Sequence, residues 1–364
     1  MFGSLYQGKR VLVTGHTGFK GSWLTIWLES LGAKVSGYAL APLHAEDLKH
    51  FIPRDALEHE WIADLRDRET LTAAIETVKP DLIMHLAAQP LVRLSYAEPL
   101  ETFSVNAWGT ALLLETVRAT GCGAPVIVVT SDKCYLNQNL GRPFSEDDPL
   151  GGHDVYSMSK AATELVVASW HASFFSREVG CGRLASVRAG NVIGGGDYAA
   201  DRILPDCVRA QVAGEPVILR NPHATRPWQH VLECLAGYLS VGQHLFNNPG
   251  SKELLSLNFG PTPESERSVG EVVQAFFEAW PGQWEARPDP NAPPEATRLT
   301  LSHEKATRVL GWRPVWDFHA ATKATAEWYR RRHTESGTDM LNFTRGQITD
   351  YTAHARSSGL TWTH

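Results

Sequence analysis

The stretch from Val11 to Ser22, Val-Leu-Val-Thr-Gly-His-Thr-Gly-Phe-Lys-Gly-Ser, decides the fold of this chain. Its apolar start is typical of a buried strand, and a helix is predicted to begin near its end. Small residues between the two let the turn tighten, so that backbone amides can approach a pyrophosphate at the helix N-terminus. The glycines of this turn are Gly15, Gly18 and Gly21.

A second segment, Tyr156-Ser-Met-Ser-Lys160, places a phenol and an ammonium one helical turn apart on one helix face. A lysine held there can lower the pKa of the tyrosine, which makes the phenol a usable proton acceptor. Lys160 can also bond a nicotinamide ribose. Ser131, 25 residues before Tyr156, can bond a substrate oxygen, although alone it would be interpreted as a strand-end turn residue. Together with the glycine turn, this segment predicts a nicotinamide oxidoreductase-type site.

The first half alternates short apolar runs with helical patterns, which predicts an α/β fold: a Rossmann-like doubly wound parallel sheet. Its predicted strands are Val11–Val13, Lys34–Ala39, Trp61–Ala63, Leu82–Leu86, Val126–Thr130 and Leu184–Arg188. The predicted helices there are Gly21–Leu31, Arg68–Val78, Pro99–Ala119 and Val155–Ser176. Ligands of such sheets bind at the carboxyl ends of the strands.

Residues 190–364 break into loops and short helices, which predicts a smaller, irregular substrate domain after a dinucleotide-binding domain of residues 1–189. The chain can cross back to the sheet within this second part. Its predicted helices are Pro205–Ala213, Val231–Phe246, Val269–Trp280 and Phe318–Arg332. The last twenty or so residues carry no pattern that predicts an element.

Composition excludes several classes of function. Apolar residues make up 43%, charged residues 20%, and the net charge is −6, so nothing favours nucleic-acid binding. No apolar run reaches the ~18 residues of a membrane span. The five cysteines form no CxxC pair, which argues against a metal site or a disulfide framework and for reduced thiols in the cytoplasm.

Four segments carry a resemblance to the extended short-chain dehydrogenase/reductase family, in particular its NAD-dependent nucleotide-sugar epimerases and dehydratases. Within that family the chain is most similar to the branch that dehydrates CDP-glucose. The four segments are TGHTGFKGSWL at 14–24, TSDKCY at 130–135, SVRAGNVIGGGD at 186–197 and RPWQHV at 226–231.

The resemblance implies an internal redox cycle on CDP-glucose. Tyr156 takes the proton of the sugar 4-hydroxyl, NAD accepts the hydride of carbon 4, water is eliminated across carbons 5 and 6, and the hydride returns to carbon 6. The implied product is CDP-4-keto-6-deoxyglucose. Related dTDP-glucose dehydratases use an Asp-Glu pair for the elimination, where this chain has Asp132-Lys133. Those two residues could instead form an ion pair or a solvated loop.

The resemblance also implies a set of cofactor contacts. His16 is large enough to crowd the pyrophosphate, Asp64-Leu65 holds the adenine, and Asn106 is either a contact or a structural helix bulge. No acid follows strand two to bind the ribose, so NAD over NADP rests on resemblance. The implied NAD-binding residues are Gly15, His16, Thr17, Gly18, Phe19, Lys20, Gly21, Asp64, Leu65, Leu86, Ala87, Ala88, Gln89, Asn106, Thr130, Tyr156, Lys160 and Ala189.

The implied catalytic set is Ser131, Asp132, Lys133, Tyr156 and Lys160, and the implied substrate contacts are Arg93, Ser131, Asn191, Arg202, Arg226 and Arg298. Guanidinium groups suit a diphosphate, although Arg93 could equally be a surface charge. Two other functions stay open: another nucleotide-sugar dehydratase or epimerase, and a non-catalytic scaffold, which would typically lose the tyrosine or the lysine. The family implies a homodimer or a dimer of dimers, paired through Pro99–Ala119 and Val155–Ser176.

Overall fold

The computed structural model describes residues 1–138, 141–178, 182–287 and 299–364, and a seven-stranded parallel sheet lies at its centre. The strands, in chain order, are β1 Arg10–Thr14, β2 Lys34–Ala39, β3 His59–Ile62, β4 Leu82–His85, β5 Val126–Val129, β6 Leu184–Ala189, β7 Val192–Ile193, β8 Val217–Leu219, β9 Thr225–Pro227, β10 Gln229–His230, β11 Leu255–Phe259, β12 Glu266–Ser268 and β13 Trp284–Ala286. The order across the large sheet is β11-β6-β5-β4-β1-β2-β3, and its neighbours pair in parallel. The predicted Rossmann-like sheet is confirmed.

Helices cover both faces of the sheet. They are α1 Phe19–Ser30, α2 Arg68–Val78, α3 Val92–Ala97, α4 Pro99–Phe103, α5 Gly109–Ala119, α6 Val155–Trp170, α7 Ile203–Ala213, α8 Val231–Asn247, α9 Val269–Ala279, α10 Glu304–Leu310, α11 Phe318–Thr334 and α12 Met340–Ser357. A π-helical turn, Ser104–Trp108, joins α4 to α5, so the predicted helix Pro99–Ala119 contains a bulge. None of the described helices is both long and apolar enough to cross a membrane.

The strand order reverses between β1 and β4, which run side by side although two strands separate them in sequence. At such a switch point the loops that follow the two strands diverge and leave a crevice at their carboxyl ends. The glycine turn follows β1, and Leu86-Ala87-Ala88 follows β4. The fold therefore brings these two predicted segments to one crevice.

The second half of the chain completes the sheet through β11, which was not predicted as a strand. It pairs with β6 from Leu255 opposite Ala185 to Phe259 opposite Ala189. The chain thus crosses back to the sheet after residue 190. The division into domains at residue 189 stays a prediction.

The long helix α12, also not predicted, packs its buried face against α1 and α11. Tyr351 on this face makes edge contact with Trp27 of α1, their ring centroids 5.9 Å apart. The Nε1–H of Trp328 on α11 donates to the Thr344 hydroxyl at 2.9 Å. The C-terminal segment is thereby part of the main core.

A buried carboxylate, Glu233 in the first turn of α8, ties this segment to the core. It accepts hydrogen bonds from the amides of Val315 and Trp316 and, at 2.8 Å, from the Tyr351 hydroxyl. Its residue is 1% exposed, and burial raises its pKa from 4.5 to about 7.

The stability of the protein should therefore depend on the proton of Glu233. Because its folded-state pKa exceeds its unfolded value, its contribution is full below about pH 4.5 and is lost as the pH rises through about 7. Replacing Glu233 with Gln removes this titration. We take the free energy of unfolding of Glu233→Gln minus that of wild type, measured by urea unfolding. We expect this difference to be about 2–3 kcal/mol more favourable to the variant at pH 8 than at pH 5. A difference that does not change with pH would contradict this assignment.

Candidate active site

The glycine turn after β1 uses its glycines for two different purposes. Gly15 has φ +74°, and a Cβ there would lie 2.6 Å from the Ala87 amide nitrogen; a Cβ on Gly21 would lie 2.0 Å from the Gly15 carbonyl oxygen. At both positions the neighbouring backbone leaves no space for a side chain. Gly18 is exposed, and a Cβ there would meet nothing nearer than the Gly15 carbonyl oxygen at 3.5 Å. Its surface at the start of α1 is therefore open to a ligand.

The side chain of His16 turns into the protein. It is fully buried, and its Nε2 lies 2.7 Å from a carboxylate oxygen of Glu60 on β3. The same oxygen lies 2.8 Å from the Lys49 ammonium. The ring also occupies the space beside Gly37 of β2, where a Cβ would come within 2.5 Å of it. The expectation that this side chain crowds a pyrophosphate is therefore wrong, because it has no surface left for a ligand.

The start of α1 carries Lys20, whose charge reaches Lys160 on the Tyr-Lys helix. Lys20 places its ammonium 6.0 Å from the ring centroid of Tyr238 on α8. Burial and the positive charge of Lys20 together lower the pKa of Lys160 to about 8. Thr17, next to Gly18, donates its hydroxyl to the Leu40 carbonyl at 2.8 Å, which fixes the turn against the end of β2. The structure thus brings the two deciding sequence segments together.

Asn106 is held by the protein on both atoms of its amide. Its oxygen accepts from the Gln89 amide at 2.8 Å, and its nitrogen donates to the Gln89 carbonyl and, at 2.9 Å, to the Ser159 hydroxyl. It lies within the π-helical turn Ser104–Trp108. Of the two interpretations left open by the sequence, the structural bulge is the one this geometry supports. It fixes the loop after β4 to the Tyr-Lys helix.

The Asp64-Leu65 pair lies at the far end of the crevice, after β3. Arg66 bonds both carboxylate oxygens of Asp64, at 2.9 and 2.6 Å, and these hydrogen bonds hold the pKa of that carboxyl below its usual range. Leu65 is buried against Gly109, where a Cβ would approach it to 2.7 Å. Leu65 is thus part of the packing between α5 and this loop, and Asp64 has an arginine partner that the sequence did not suggest.

The reacting groups gather at the end of β5. Tyr156 and Lys160 are buried on α6, whose N-terminus is capped by Asp154 accepting from the Ser157 amide at 2.9 Å. Burial raises the pKa of Tyr156 to about 12, while a hydrogen bond with Ser131 and the charge of Arg202 lower it. The Lys160 ammonium lies 5.9 Å from the centroid of the Tyr156 ring.

That Lys160 lowers the pKa of Tyr156 stays a prediction. The ammonium lies over the face of the ring, one turn along the helix, and burial lowers its own pKa. The Ser131 hydroxyl and the Arg202 guanidinium are two further groups that favour the phenolate.

Asp132 and Lys133 follow Ser131 on a short 3₁₀ turn, Asp132–Cys134. Asp132 is 3% exposed and accepts a hydrogen bond from the Ser131 hydroxyl at 2.8 Å. Its carboxylate rests on Gly190, where a Cβ would come within 2.4 Å of an Asp132 oxygen. Because Asp132 is buried, the alternative of a solvated loop pair fails for it. Lys133 is half-buried.

The predicted substrate residues lie at different depths. Arg202 donates to Asp197 at 2.5 Å, and its charge lowers the pKa of Tyr156. Arg93 forms an ion pair with Asp201 at 3.3 Å. The Asn191 carbonyl accepts from the Gln229 amide at 3.2 Å. Arg226 is half-buried on β9 and donates to the Thr225 carbonyl. Arg298 lies outside the described residues.

Comparison with known proteins identifies the family. The family profile described as GDP-mannose 4,6-dehydratase matches residues 12–325. The chain belongs to this family. It is 44% identical over 354 residues to the CDP-glucose 4,6-dehydratase of Salmonella typhimurium, which covers 96% of this chain and 97% of that protein. It is 26% identical over 332 residues to the dTDP-D-glucose 4,6-dehydratase of Bos taurus, covering 88% and 89% of the two chains.

Solved structures show the same fold at lower identity. The UDP-glucose 4-epimerase of Thermus thermophilus, in complex with NAD, has a TM-score of 0.72 at 27% identity and covers 88% of this chain and 99% of its own. The UDP-glucose 4-epimerase of Stenotrophomonas maltophila has a TM-score of 0.76 at 22% identity, covering 89% and 98%. Membership of the GDP-mannose 4,6-dehydratase family thus agrees with the sheet and with the Tyr-Lys helix.

Sequence reasoning missed a group of residues directly behind the reacting groups. Glu164 continues the helix face of Tyr156 and Lys160 at the same four-residue spacing, and it pairs with Arg188 at the end of β6. Each residue could have been singled out: Glu164 by its helical spacing from Lys160, and Arg188 by its place in the quoted segment SVRAGNVIGGGD. That the two form a pair could not be predicted, because they lie 24 residues apart on different elements.

Proposed function

We propose that this chain dehydrates CDP-glucose to CDP-4-keto-6-deoxyglucose, with NAD as its cofactor. The observation that carries this proposal is the cluster at the end of β5, where the Ser131 hydroxyl donates to the buried Asp132 and both act on the pKa of the buried Tyr156 phenol. The 44% identity to a CDP-glucose 4,6-dehydratase over nearly the whole of both chains supports the nucleotide sugar.

The residues around the glycine turn fit NAD. Gly15 and Gly21 let the turn pack against the loop after β4, and Gly18 leaves the backbone at the start of α1 open to a diphosphate. The half-buried Leu86-Ala87-Ala88 and the ammonium of Lys160 would line the dinucleotide. When bound, NAD accepts a hydride from carbon 4 of the sugar and returns it to carbon 6.

Tyr156 is the base for the sugar 4-hydroxyl. With a pKa near 12 the phenol is protonated in the free protein, so it acts as a base only where its phenolate is stabilised. The Ser131 hydroxyl, which donates to Asp132 in the free protein, would turn to donate to that oxygen, and Arg202 supplies positive charge. Ser131 can also bond the sugar oxygen from which the proton leaves.

Asp132 and Lys133 perform the elimination. Oxidation at carbon 4 acidifies the proton on carbon 5, which Lys133 removes as the base, while Asp132 protonates the departing 6-hydroxyl as the acid. Asp132 already takes part in a hydrogen bond with Ser131, so the acid lies beside the group that binds the sugar oxygen. The turn Asp132–Cys134 therefore places both functions next to Ser131.

The substrate is tested by supplying CDP-glucose, dTDP-glucose and GDP-mannose separately and measuring the 4-keto sugar formed. We expect kcat/KM for CDP-glucose to exceed the others by at least about 100-fold, since a site that bonds one base rejects analogues that leave its polar groups unpaired. Equal use of all three would contradict CDP-glucose as the substrate, and a 4-epimer as product would point to an epimerase.

Gly18→Val should abolish NAD binding while the protein stays folded. A side chain at this position meets open space within the protein, so the loss would come from blocking the approach of the dinucleotide. Calorimetric titration with NAD and NADP measures it, and wild type should prefer NAD. The control is Gly346→Val on α12, an exposed glycine where a Cβ meets nothing within 4 Å. Normal NAD binding by Gly18→Val would contradict this role of Gly18. Tighter binding of NADP than of NAD to wild type would contradict the preference for NAD.

We infer further that two copies pair through α4, α5 and α6. Large apolar side chains on and beside these packed helices are exposed, which is unusual for a face left in water. They are Tyr96, Leu100, Phe103, Trp108, Met158 and Leu165, with exposures from 38% to 84%. A second copy would cover them in an antiparallel helix pack.

Replacing Leu100 and Leu165 together with Asp should convert the protein to a single chain of 40.2 kDa, because burying the charges would cost more than the contact returns. Sedimentation velocity measures the mass, and wild type should sediment as at least two chains. Leu43→Asp is the control, since Leu43 is as exposed as Leu100, at 84%, but lies after β2. A wild-type protein at the mass of one chain would overturn the inference.

A further inference from the structure

The reacting groups of this site come from two separate elements. Ser131, Asp132 and Lys133 lie on the segment after β5, whereas Tyr156 and Lys160 lie on α6. A displacement of about 1 Å between reacting groups can cost about 100-fold in rate. Something must therefore hold the segment and the helix in register.

An ion pair behind the site joins the two elements. Arg188, at the end of β6, donates from Nε and Nη2 to the two carboxylate oxygens of Glu164 on α6, at 2.9 and 2.8 Å. Both residues are only 3% exposed. Burial raises the pKa of Glu164, but the charge and hydrogen bonds of Arg188 outweigh it and leave the pKa below its usual range. Glu164 is thus held as a carboxylate.

Each member of this ion pair also forms a hydrogen bond with a residue at one end of the segment after β5. Glu164 accepts a hydrogen bond from the hydroxyl of Thr130, the residue before Ser131. Arg188 donates from Nη1 at 2.6 Å to the hydroxyl of Tyr135, which follows the turn that carries Asp132 and Lys133. The Tyr135 hydroxyl donates in turn to Asn258 of β11 at 2.8 Å.

A buried ion pair of this kind contributes little to the free energy of unfolding. Taking two charges out of water costs several kcal/mol per ion, and well-packed apolar residues often serve stability as well or better. What a bidentate pair adds is a fixed direction for every donor. Here the paired Arg188 keeps Nη1 directed at Tyr135, and the paired Glu164 keeps an oxygen directed at Thr130, so each partner meets one end of the reactive segment.

We propose that Thr130, Tyr135, Glu164 and Arg188 form a clamp that positions Ser131, Asp132 and Lys133 against Tyr156. In this role its members act as positioning residues: they hold the segment that carries Ser131, Asp132 and Lys133 and are not the groups that react. The inference rests on the proposed function for the reaction it serves. The clamp closes a ring: Glu164 to Thr130, along the segment to Tyr135, and through Arg188 back to Glu164.

Tyr135→Phe tests the clamp, because it removes one hydroxyl and leaves the buried ion pair intact. We expect kcat for CDP-glucose to fall about 10- to 100-fold with KM changed less than about two-fold. Tyr6→Phe is the matched control: its hydroxyl is equally buried and donates to the Leu239 carbonyl at 2.6 Å, on the far side of the core. It should lower Tm by a similar amount and leave kcat at the wild-type value.

A second pair of variants probes the other end. Thr130→Val keeps the shape of threonine and removes the donor to Glu164, whereas Thr130→Ser keeps the donor. We expect Val to lower kcat about ten-fold and Ser to retain most of it. Wild-type kcat in folded Tyr135→Phe and Thr130→Val would overturn the clamp. A fall in kcat no larger than that of Tyr6→Phe would overturn it too.

Hydrogen exchange separates the clamp from the identity of the substrate. The backbone amides of residues 132–136 should exchange at least about ten-fold faster in Tyr135→Phe than in wild type, with or without activity, while Tyr6→Phe leaves them unchanged. Unchanged exchange in Tyr135→Phe would overturn the clamp. A wild-type protein that does not convert CDP-glucose would overturn the proposed function instead, and the exchange experiment would still decide on the clamp.

Discussion

Tyr156→Phe is expected to lower turnover of CDP-glucose by about 10²–10⁴-fold, the usual contribution of a positioned acid–base group. Phenylalanine keeps the ring that packs within the site, where Tyr156 is 7% exposed, and removes only the oxygen that accepts the proton. The Ser131 hydroxyl keeps its bond to Asp132, so the rest of the site should stay in place. The measurement is the steady-state rate of 4-keto sugar formation.

Binding should survive this change. Calorimetric affinity for NAD and for CDP-glucose is expected to stay within about three-fold of wild type, since the phenol contributes to the reaction far more than to binding. Tyr6→Phe, a buried tyrosine distant from the site, should retain full turnover. Near-normal turnover in Tyr156→Phe would show that another group accepts the proton.

Asp132→Asn and Lys133→Met should each stop dehydration, with a loss in product formation of about 10²–10⁴-fold. Asparagine keeps an oxygen for the hydrogen bond from Ser131 but has no acidic proton for the leaving hydroxyl. Methionine keeps the length of lysine without its amine. The first oxidation at carbon 4 remains possible in both variants, because Tyr156 and Ser131 are unchanged.

The two roles are separated by exchange at carbon 5. In D₂O, Lys133→Met should no longer exchange the carbon 5 proton, since the base is gone. Asp132→Asn should still exchange it while product fails to form. Mass spectrometry of the recovered sugar gives the deuterium content. Product formed at the wild-type rate by both variants would mean that a different pair carries out the elimination.

Much of the fold could be predicted because the central strands β1, β4 and β5 are nearly continuous apolar runs, as strands buried on both faces need to be. All six predicted strands agree with the structure to within two residues at each end. The strand β11 was missed because its sequence, Leu-Ser-Leu-Asn-Phe, inserts polar residues: Ser256 bonds Ser186 of β6, and Asn258 bonds the Phe144 carbonyl. Polar partners distant in the chain cannot be read from a local pattern.

The helix α12 was missed for a related reason. Its buried face includes Thr344, Gln347 and Thr352, so few apolar residues mark the helical period. Their hydroxyls donate within the helix, as from Thr344 to the Met340 carbonyl, while the Gln347 amide donates to the Ala324 carbonyl at 2.8 Å, a partner that only the fold supplies. Helices docked through polar residues give a weak periodic signal.

At the site, the sequence predicted which segments meet but not which way each side chain turns. The glycine turn and the Tyr-Lys helix do face each other, and Gly18 has the open surface expected of it. His16 turns inward because Gly37 leaves space and Glu60 offers an acceptor. Arg202, predicted to bind diphosphate, also acts on Tyr156, a role that depends on a loop path no local pattern encodes.

The central claim, that one hydride moves within the sugar, is tested most directly with CDP-glucose carrying deuterium at carbon 4. After complete conversion by the wild-type protein in ordinary water, the product is analysed by NMR and mass spectrometry. The account predicts one deuterium at carbon 6 of CDP-4-keto-6-deoxyglucose, because carbon 4 gives up its hydride and carbon 6 receives it. Product without deuterium at carbon 6, or a 4-epimer that retains its 6-hydroxyl, would contradict it.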